Sequence, residues 1–314
     1  MKKFFALIIA ALLFVTTPAY AQDSNVTNAD DTADVLNASI ESFYATLPVA
    51  KGDYKSRLRP ILIEGAMNVE TEIFVRALKN PVAYRELNYL FVAGTYKDYP
   101  VVVVRTEQGL ANAAASTALA IKKFNPVAVI NQGTAGGHDP ALKIGDIVIA
   151  HKTFDMFAIK TARSEAGAGA ELTNQEMRGT YAYDEGSGTF QPHNEFLADT
   201  TLFNIAFAVA NSHEEFNAVS GTIGSSDAWL INMDYINFLH ERYGSSCEEM
   251  ETHSAAQVCH NAGVPFIGIR ILSDNVTVND DYVPETATTC QKFVLLVAEA
   301  YIRDVLKNNP EVSN

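Results

Sequence analysis

Three segments that read as buried strands each run out into a carboxylate: 61–65 leads to Glu70, 245–250 to Glu251 and 264–272 to Asp274. In an α/β protein with a mostly parallel sheet, ligands bind beyond the carboxyl ends of the strands, so acids in these positions converge on one cavity. Strand-like and helix-like segments alternate along most of the chain. Of its 314 residues 48% are hydrophobic, and no low-complexity linker divides them, so a single large core is expected. The pattern predicts an α/β fold, a three-layer sandwich with a central twisted mixed sheet flanked by helices. A cavity lined with acids suits a reaction whose transition state is cationic.

The first residues read as a targeting segment. Lys2 and Lys3 precede an apolar run over 4–15, and Ala19-Tyr20-Ala21 offers small residues at alternate positions, the pattern of a signal peptide cleaved after Ala21. That run is too short to cross roughly 30 Å of hydrocarbon. A periplasmic or secreted protein without a membrane span is therefore expected. Residues 22–58 read as a polar arm and an extra helix, with helical spacing at Val35, Leu36, Ile40 and Phe43, and 59–310 as the single domain.

A formal net charge of -14 without clustered Lys and Arg argues against a nucleic-acid partner and fits a small neutral or cationic ligand. The three cysteines are an odd number for an oxidising compartment. Cys259 falls in a helical run and reads as a buried apolar residue, while Cys247 and Cys290 either pair or stay free. With neither a CxxC motif nor a His/Cys cluster, no metal site is expected, and no cofactor.

Periodicity places strands at 60–65, 90–96, 101–105, 127–131, 146–151, 218–225, 246–250 and 265–272. Helices are predicted at 69–78, 111–124, 196–211, 233–243, 252–262 and about 285–306. Between 160 and 192 the pattern breaks into glycine-rich sequence, either a flap near the site or a plain surface insertion. Residues 131–137 read as a glycine-rich loop after a strand, where backbone approaches a ligand closely or takes positive φ. Their spacing is not that of a dinucleotide fingerprint.

Six motifs in order carry a resemblance. They are Gly65-Ala66-Met67-Asn68-Val69-Glu70, Asn131-Gln132-Gly133-Thr134-Ala135-Gly136-Gly137, Lys143-Ile144-Gly145-Asp146-Ile147-Val148, Ser226-Asp227-Ala228-Trp229, Glu249-Met250-Glu251 and Arg270-Ile271-Leu272-Ser273-Asp274. Over roughly residues 60–305 the chain resembles the 5'-methylthioadenosine/S-adenosylhomocysteine nucleosidases, members of the nucleoside phosphorylase superfamily. The resemblance implies a nucleoside phosphorylase-like fold, a homodimer, and cleavage of the N-ribosidic bond of a purine nucleoside to free base and ribose sugar.

As that bond breaks, the ribose becomes oxocarbenium-like and the purine leaves as an anion unless N7 is protonated. An acid for the leaving group and a base for the water are therefore needed. By resemblance Asp274 is the acid, and a dry strand-end pocket raises a carboxyl pKa in the required direction. Glu70 holds and activates the water, with Thr134 beside it. Arg270 either shares that role or is a structural partner for an acid. Glu251 hydrogen-bonds the ribose hydroxyls, an interaction that strengthens beside a developing cation, with Met250 against the sugar. Trp229 stacks on the purine. The same matching puts Met67, Ala135, Gly136, Leu230, Glu249 and Ser273 among the substrate contacts.

Phosphorolytic relatives supply arginines from the first loop and near the later glycine stretch, whereas 65–68 and the start of 131–137 hold no basic residue. Hydrolysis is the better reading. The alternatives are a phosphate-dependent purine nucleoside phosphorylase and a non-catalytic periplasmic nucleoside-binding or storage protein; keeping both an acid and a base favours an enzyme. The chain departs from the family pattern at Phe154-Asp155-Met156-Phe157, at 160–192, at Glu248 where an apolar residue is usual, and after Asp274, where Tyr282 is the nearest aromatic substitute for a 5' contact.

Overall fold

A computed structural model describes residues 29–278 and 282–308, with side chains from residue 37 onward. The expected signal peptide over 1–21 lies outside the described residues. The chain opens with helix α1 (Ala29–Ala45), strand β1 (Ile61–Gly65) and helix α2 (Asn68–Ala77). There follow β2 (Lys79–Glu86), β3 (Tyr89–Tyr96), β4 (Tyr99–Arg105), α3 (Leu110–Phe124), β5 (Ala128–Gly137) and β6 (Ile147–Asp155). Four short strands come next, β7 (Ile159–Thr161), β8 (Gln175–Met177), β9 (Thr180–Asp184) and β10 (Thr189–His193), then β11 (Phe196–Leu197) and α4 (Thr200–Ser212). The last third holds β12 (Ala218–Ser225), α5 (Met233–Tyr243), β13 (Ser245–Glu249), α6 (Thr252–Ala262), β14 (Phe266–Asp274) and α7 (Thr286–Tyr301), which runs into a π-helical turn, Ile302–Leu306.

The apolar runs assemble into one mixed ten-stranded sheet in the order β11-β6-β12-β13-β5-β1-β4-β3-β2, with β14 paired to both β5 and β6. Strands β5, β14, β6, β12 and β13 thus close into a ring, and β1, β4, β3 and β2 extend from it as a wing. Alternation along the strands sends successive side chains to opposite faces. Ile61, Ile63, Val101, Val103, Ile267 and Ile269 pack with α2, α4 and α7, while Leu62, Val102, Val104 and Val129 pack with α3 and α6. This is the expected α/β arrangement, a mixed sheet with helices on both faces.

Strands β1, β4, β5 and β14 are parallel to one another, and β12 and β13 are parallel to each other. The two groups meet antiparallel where the carboxyl ends of β13 and β5 overlap, Cys247 opposite Gly137 and Glu248 opposite Gly136. That overlap brings the ends of β1, β5, β13 and β14 to one place and makes a shared site there.

The structure corrects several expectations. The glycine stretch 131–137 is not a loop: β5 runs through it to Gly137, and none of its glycines takes left-handed backbone. Gly133 is required for closeness instead, since a Cβ there would lie 2.6 Å from Glu70 Oε1. Strand β2, unanticipated because it is polar and contains Pro81, forms an edge of the sheet, where proline is tolerated. The helix expected from 196 begins at Thr200, with the Asp199 carboxylate accepting from Leu202 N at 2.9 Å as its cap; 196–197 are strand.

Residues 160–192 fold largely into two small hairpins. The second docks on α6, where Gln257 Nε2 donates to Tyr181 O at 2.8 Å and Tyr183 N to Asn261 Oδ1 at 2.8 Å. Cys247, Cys259 and Cys290 are all buried free thiols, so the alternative of a Cys247–Cys290 disulfide is not realised.

Candidate active site

A cavity of about 330 Å³ sits at the overlapping strand ends, within the size range of small-molecule sites. Glu70, Glu251 and Asp274 all line it, as do Met67, Thr134, Ala135, Gly136, Trp229, Met250 and Ser273. The insertion 160–192 contributes nothing to its wall.

Glu70 is placed by the corner from β1 into α2, where it is the third helical residue. Its Oε2 accepts from the backbone N–H groups of Ala66 (2.9 Å) and Met67 (3.0 Å), the second being the reach-back half of a capping box. Its Oε1 accepts from Thr134 N at 2.8 Å and Thr134 Oγ1 at 3.1 Å. Four donors thus fix the carboxylate between the start of α2 and β5. Thr134 is thus bonded to Glu70 through both its N–H and its hydroxyl.

Asp274 ends β14 and is 7% exposed. Burial raises its pKa; Ser273 Oγ, donating to Oδ1 at 2.9 Å, works against that, the nearby Glu248 charge adds to it, and His138 opposes it. The net shift is upward, toward an acid that keeps its proton.

Glu251 stands at the start of α6, and its Oε1 accepts from Gly109 N at 2.9 Å. Burial, then the charge of neighbouring Glu249, push its carboxyl up to about 8, against the pull of Arg270.

Arg270 is 1% exposed and is not on the cavity wall. Its Nη2 donates to Glu249 Oε2 and, at 2.7 Å, to Asn131 Oδ1, and lies 3.7 Å from Glu251 Oε2. Of its two expected roles the structure realises the partner of acids. Glu249, expected to touch substrate, has its carboxylate taken up by Arg270, Ser225 Oγ, Thr252 N and Glu251 N. Burial pushes Glu249 up, but Arg270 and the Ser225 and Thr252 hydrogen bonds outweigh it and leave it below its ordinary value. Glu249 still lines the cavity, whereas Leu230 does not. Its side chain packs toward Phe154, Met156, Tyr235 and Leu239, and its N–H donates to Glu248 Oε1 at 2.7 Å.

Trp229 lies on the rim, 66% exposed, its ring edge-on to Tyr282 with centroids 5.7 Å apart. Tyr282, Met67, Ala66 and Gln108 also line a second cavity of about 850 Å³ beside the first. Asn37 and Glu41 of α1, Arg105, Glu107 and Glu285 line it too. Arg105 bonds Glu41 Oε1, Asn68 Oδ1 and Glu107 Oε1 at 2.6, 2.6 and 2.7 Å.

Several site residues escaped the sequence reading. Glu64 of β1, wholly buried, accepts from Thr117 Oγ1 (2.8 Å) and Asn131 Nδ2 (3.0 Å) and so holds the asparagine that binds Arg270. An acid inside the apolar run 61–65 was its available signal. Glu248 and His138 are the other two, and only the departure at Glu248 was visible. Among the described residues no group of His, Cys, Asp and Glu could hold a metal ion, and no helix is long and apolar enough to cross a membrane.

A family model described as the phosphorylase superfamily matches residues 60–303. A 5'-methylthioadenosine/S-adenosylhomocysteine nucleosidase of Shewanella sediminis is 34% identical over 223 residues, 70% of this chain and 88% of that relative. One of Bacillus pumilus is 31% identical over 216 residues, 68% and 85% of the two chains. The crystal structure of such a nucleosidase from Neisseria meningitidis, in complex with methylthio-immucillin-A, superposes with a TM-score of 0.64 at 26% identity. That match covers 77% of this chain and all (100%) of the other.

Proposed function

The chain belongs to the 5'-methylthioadenosine/S-adenosylhomocysteine nucleosidase family of the phosphorylase superfamily, and from that premise we propose how its acids divide the reaction. It is an enzyme that hydrolyses the N-ribosidic bond of purine nucleosides of the methylthioadenosine and adenosylhomocysteine type. The observation that carries the assignment of roles is the convergence of Glu70, Glu251 and Asp274 on one cavity of about 330 Å³.

Asp274 gives its proton to N7 of the leaving purine. Glu70 takes a proton from the attacking water, and Thr134 Oγ1, which can turn from the carboxylate, shares that water. Glu251 accepts from the ribose hydroxyls, and Met67 and Met250 flank the sugar. Trp229 covers the base from the rim. Arg270 is a positioning residue: its guanidinium ties Glu249 and Asn131 together behind Glu251 and compensates charge that the buried acids could not carry alone. The adjoining cavity, with Arg105 set among Glu41, Glu107 and Glu285, takes the 5' substituent, and its size and charge suit a homocysteinyl zwitterion.

Incubation with 5'-methylthioadenosine and with S-adenosylhomocysteine, each with and without phosphate, tests the reading. Free adenine and a free ribose sugar at equal rates in both buffers are expected. Strict dependence on phosphate would return the phosphorylase alternative, and tight binding without product the binding-protein alternative.

The remaining readings concern the protein as made. The basic start, the apolar run 4–15 and Ala19-Tyr20-Ala21 support export with cleavage after Ala21, and the family supports a homodimer. Residues 59–310 form the single domain and α1 is an accessory, joined to α2 by Tyr44 OH donating to Thr71 Oγ1 at 2.8 Å. Mass spectrometry and light scattering of protein recovered from a bacterial periplasm should give a chain beginning at Gln22 and twice the monomer mass. An intact Met1 in that fraction, or a monomer, would refute the corresponding part.

A further inference from the structure

Glu248 is a carboxylate on the reaction cavity that none of the roles above employs. It is 5% exposed, and its Oε1 accepts from Leu230 N at 2.7 Å. Its Oε2 lies 3.5 Å from His138 Nε2, and neither of those two buried atoms makes a hydrogen bond. Ser245 Oγ lies 2.9 Å from His138 Nδ1 and 3.2 Å from Cys247 O, and the tautomer of the ring decides which of the two receives its hydrogen. With hydrogen on Nε2 the ring faces Glu248 Oε2 as a donor, and with hydrogen on Nδ1 it faces the carboxyl group as an acceptor. Either way the two atoms, neither with another partner, hold one proton between them. Whether that proton rests on Nε2 or on Oε2, Glu248 Oε1 remains an acceptor, with one lone pair on the Leu230 N–H and another to offer a ligand.

Its place relative to Asp274 gives the acceptor a meaning. Glu248 Oε1 and Asp274 Oδ2 stand 3.6 and 3.2 Å from the one point that a Cβ on Gly136 would occupy, so both carboxyl groups border the same glycine of β5. On a purine whose N7 meets Asp274, the 6-substituent comes next around the edge, and then N1. Adenine presents a lone pair at N1; a 6-oxopurine presents N1–H. The nearby backbone N–H of Leu230 is already committed to Glu248 and gives a bare N1 no donor.

We propose that Glu248 is a specificity-determining residue that reads N1–H, so that this site cleaves 6-oxopurine nucleosides at least as well as 6-aminopurine ones. The proposal rests on the nucleosidase reading and extends it to the base. His138 keeps Glu248 oriented by sharing its proton, and Leu230 holds the other oxygen. Adenine nucleosides remain substrates, with N1 set against an acceptor.

The test compares 5'-methylthioinosine with 5'-methylthioadenosine, which share the 5' group and differ at the base edge. For the full chain kcat/KM for the inosine compound is expected to equal or exceed that for the adenosine compound. Glu248→Val removes the acceptor and frees the Leu230 N–H for a bare N1, and should move the ratio toward adenine by about tenfold or more. Glu248→Gln should keep the original preference, its carbonyl on Leu230 N–H and its amide donating to His138 Nε2. Slower cleavage of the inosine compound by the unaltered chain overturns the proposal without touching the nucleosidase reading, and so does an unchanged ratio in Glu248→Val or a Val-like shift in Glu248→Gln. Cleavage of neither compound overturns both.

Discussion

Asp274→Asn is expected to lower kcat for 5'-methylthioadenosine by about a thousandfold while the nucleoside still binds. Asparagine keeps the size and can direct an amide hydrogen at N7, but it has no proton to give up, so the purine must leave as an anion. Burial and the neighbouring Glu248 charge both raise the pKa of Asp274, the direction that the proposed donation needs. The sign for activity follows: a raised carboxyl stays protonated to higher pH than a free aspartate, and kcat/KM falls as pH rises through that value. The variant should lose this limb of the profile along with its rate. Trp229, the single tryptophan of the chain, stands on the cavity rim, so its fluorescence reports binding separately from turnover. Turnover within tenfold of the unaltered enzyme would remove Asp274 from the reaction.

The readable parts of this molecule are those where one segment's own pattern decides. Strand β12 and helices α5 and α6 coincide with the predicted 218–225, 233–243 and 252–262, because local spacing and the turn residues between them need no distant partner to be recognised. The three acids were legible for the same reason, each following a segment that reads as a strand. What failed depended on contacts remote in sequence. Glycine disfavours strand locally, yet β5 continues to Gly137, and at Gly133 only a glycine admits Glu70 from the neighbouring corner. Arg270 matched a family position, but its attachment to Glu249 and Asn131 follows from β14, β13 and β5 arriving together. His138 and Glu248 are more than a hundred residues apart and meet only because β13 and β5 overlap at their ends.

The second large effect is expected at Glu70, where one carboxylate serves both helix and reaction. Glu70→Gln should cut kcat by about a thousandfold and lower the melting temperature less than Glu70→Ala, its carbonyl keeping the helix cap while its amide meets the Thr134 N–H. A glutamine at the third helical position can still reach back to Met67 N, as a capping box allows, and its carbonyl can still accept from Ala66 N. It cannot take a proton from water. Glu70→Ala separates the roles: it should lose the rate and also about 1 kcal/mol of stability, because the N–H groups of Ala66 and Met67 then lose their acceptor. The two variants compared by rate and by thermal unfolding therefore distinguish a base from a cap. Were Glu70→Gln to keep its rate while Glu70→Ala alone lost stability, Glu70 would be a helix cap and another group would have to activate the water. The carboxylate's four donors come from α2's entry and from Thr134 on β5. A side chain needed only as a cap would require the first pair and not the second, and Thr134, which supplies the second, stands with Glu70 and Asp274 on the wall of one cavity.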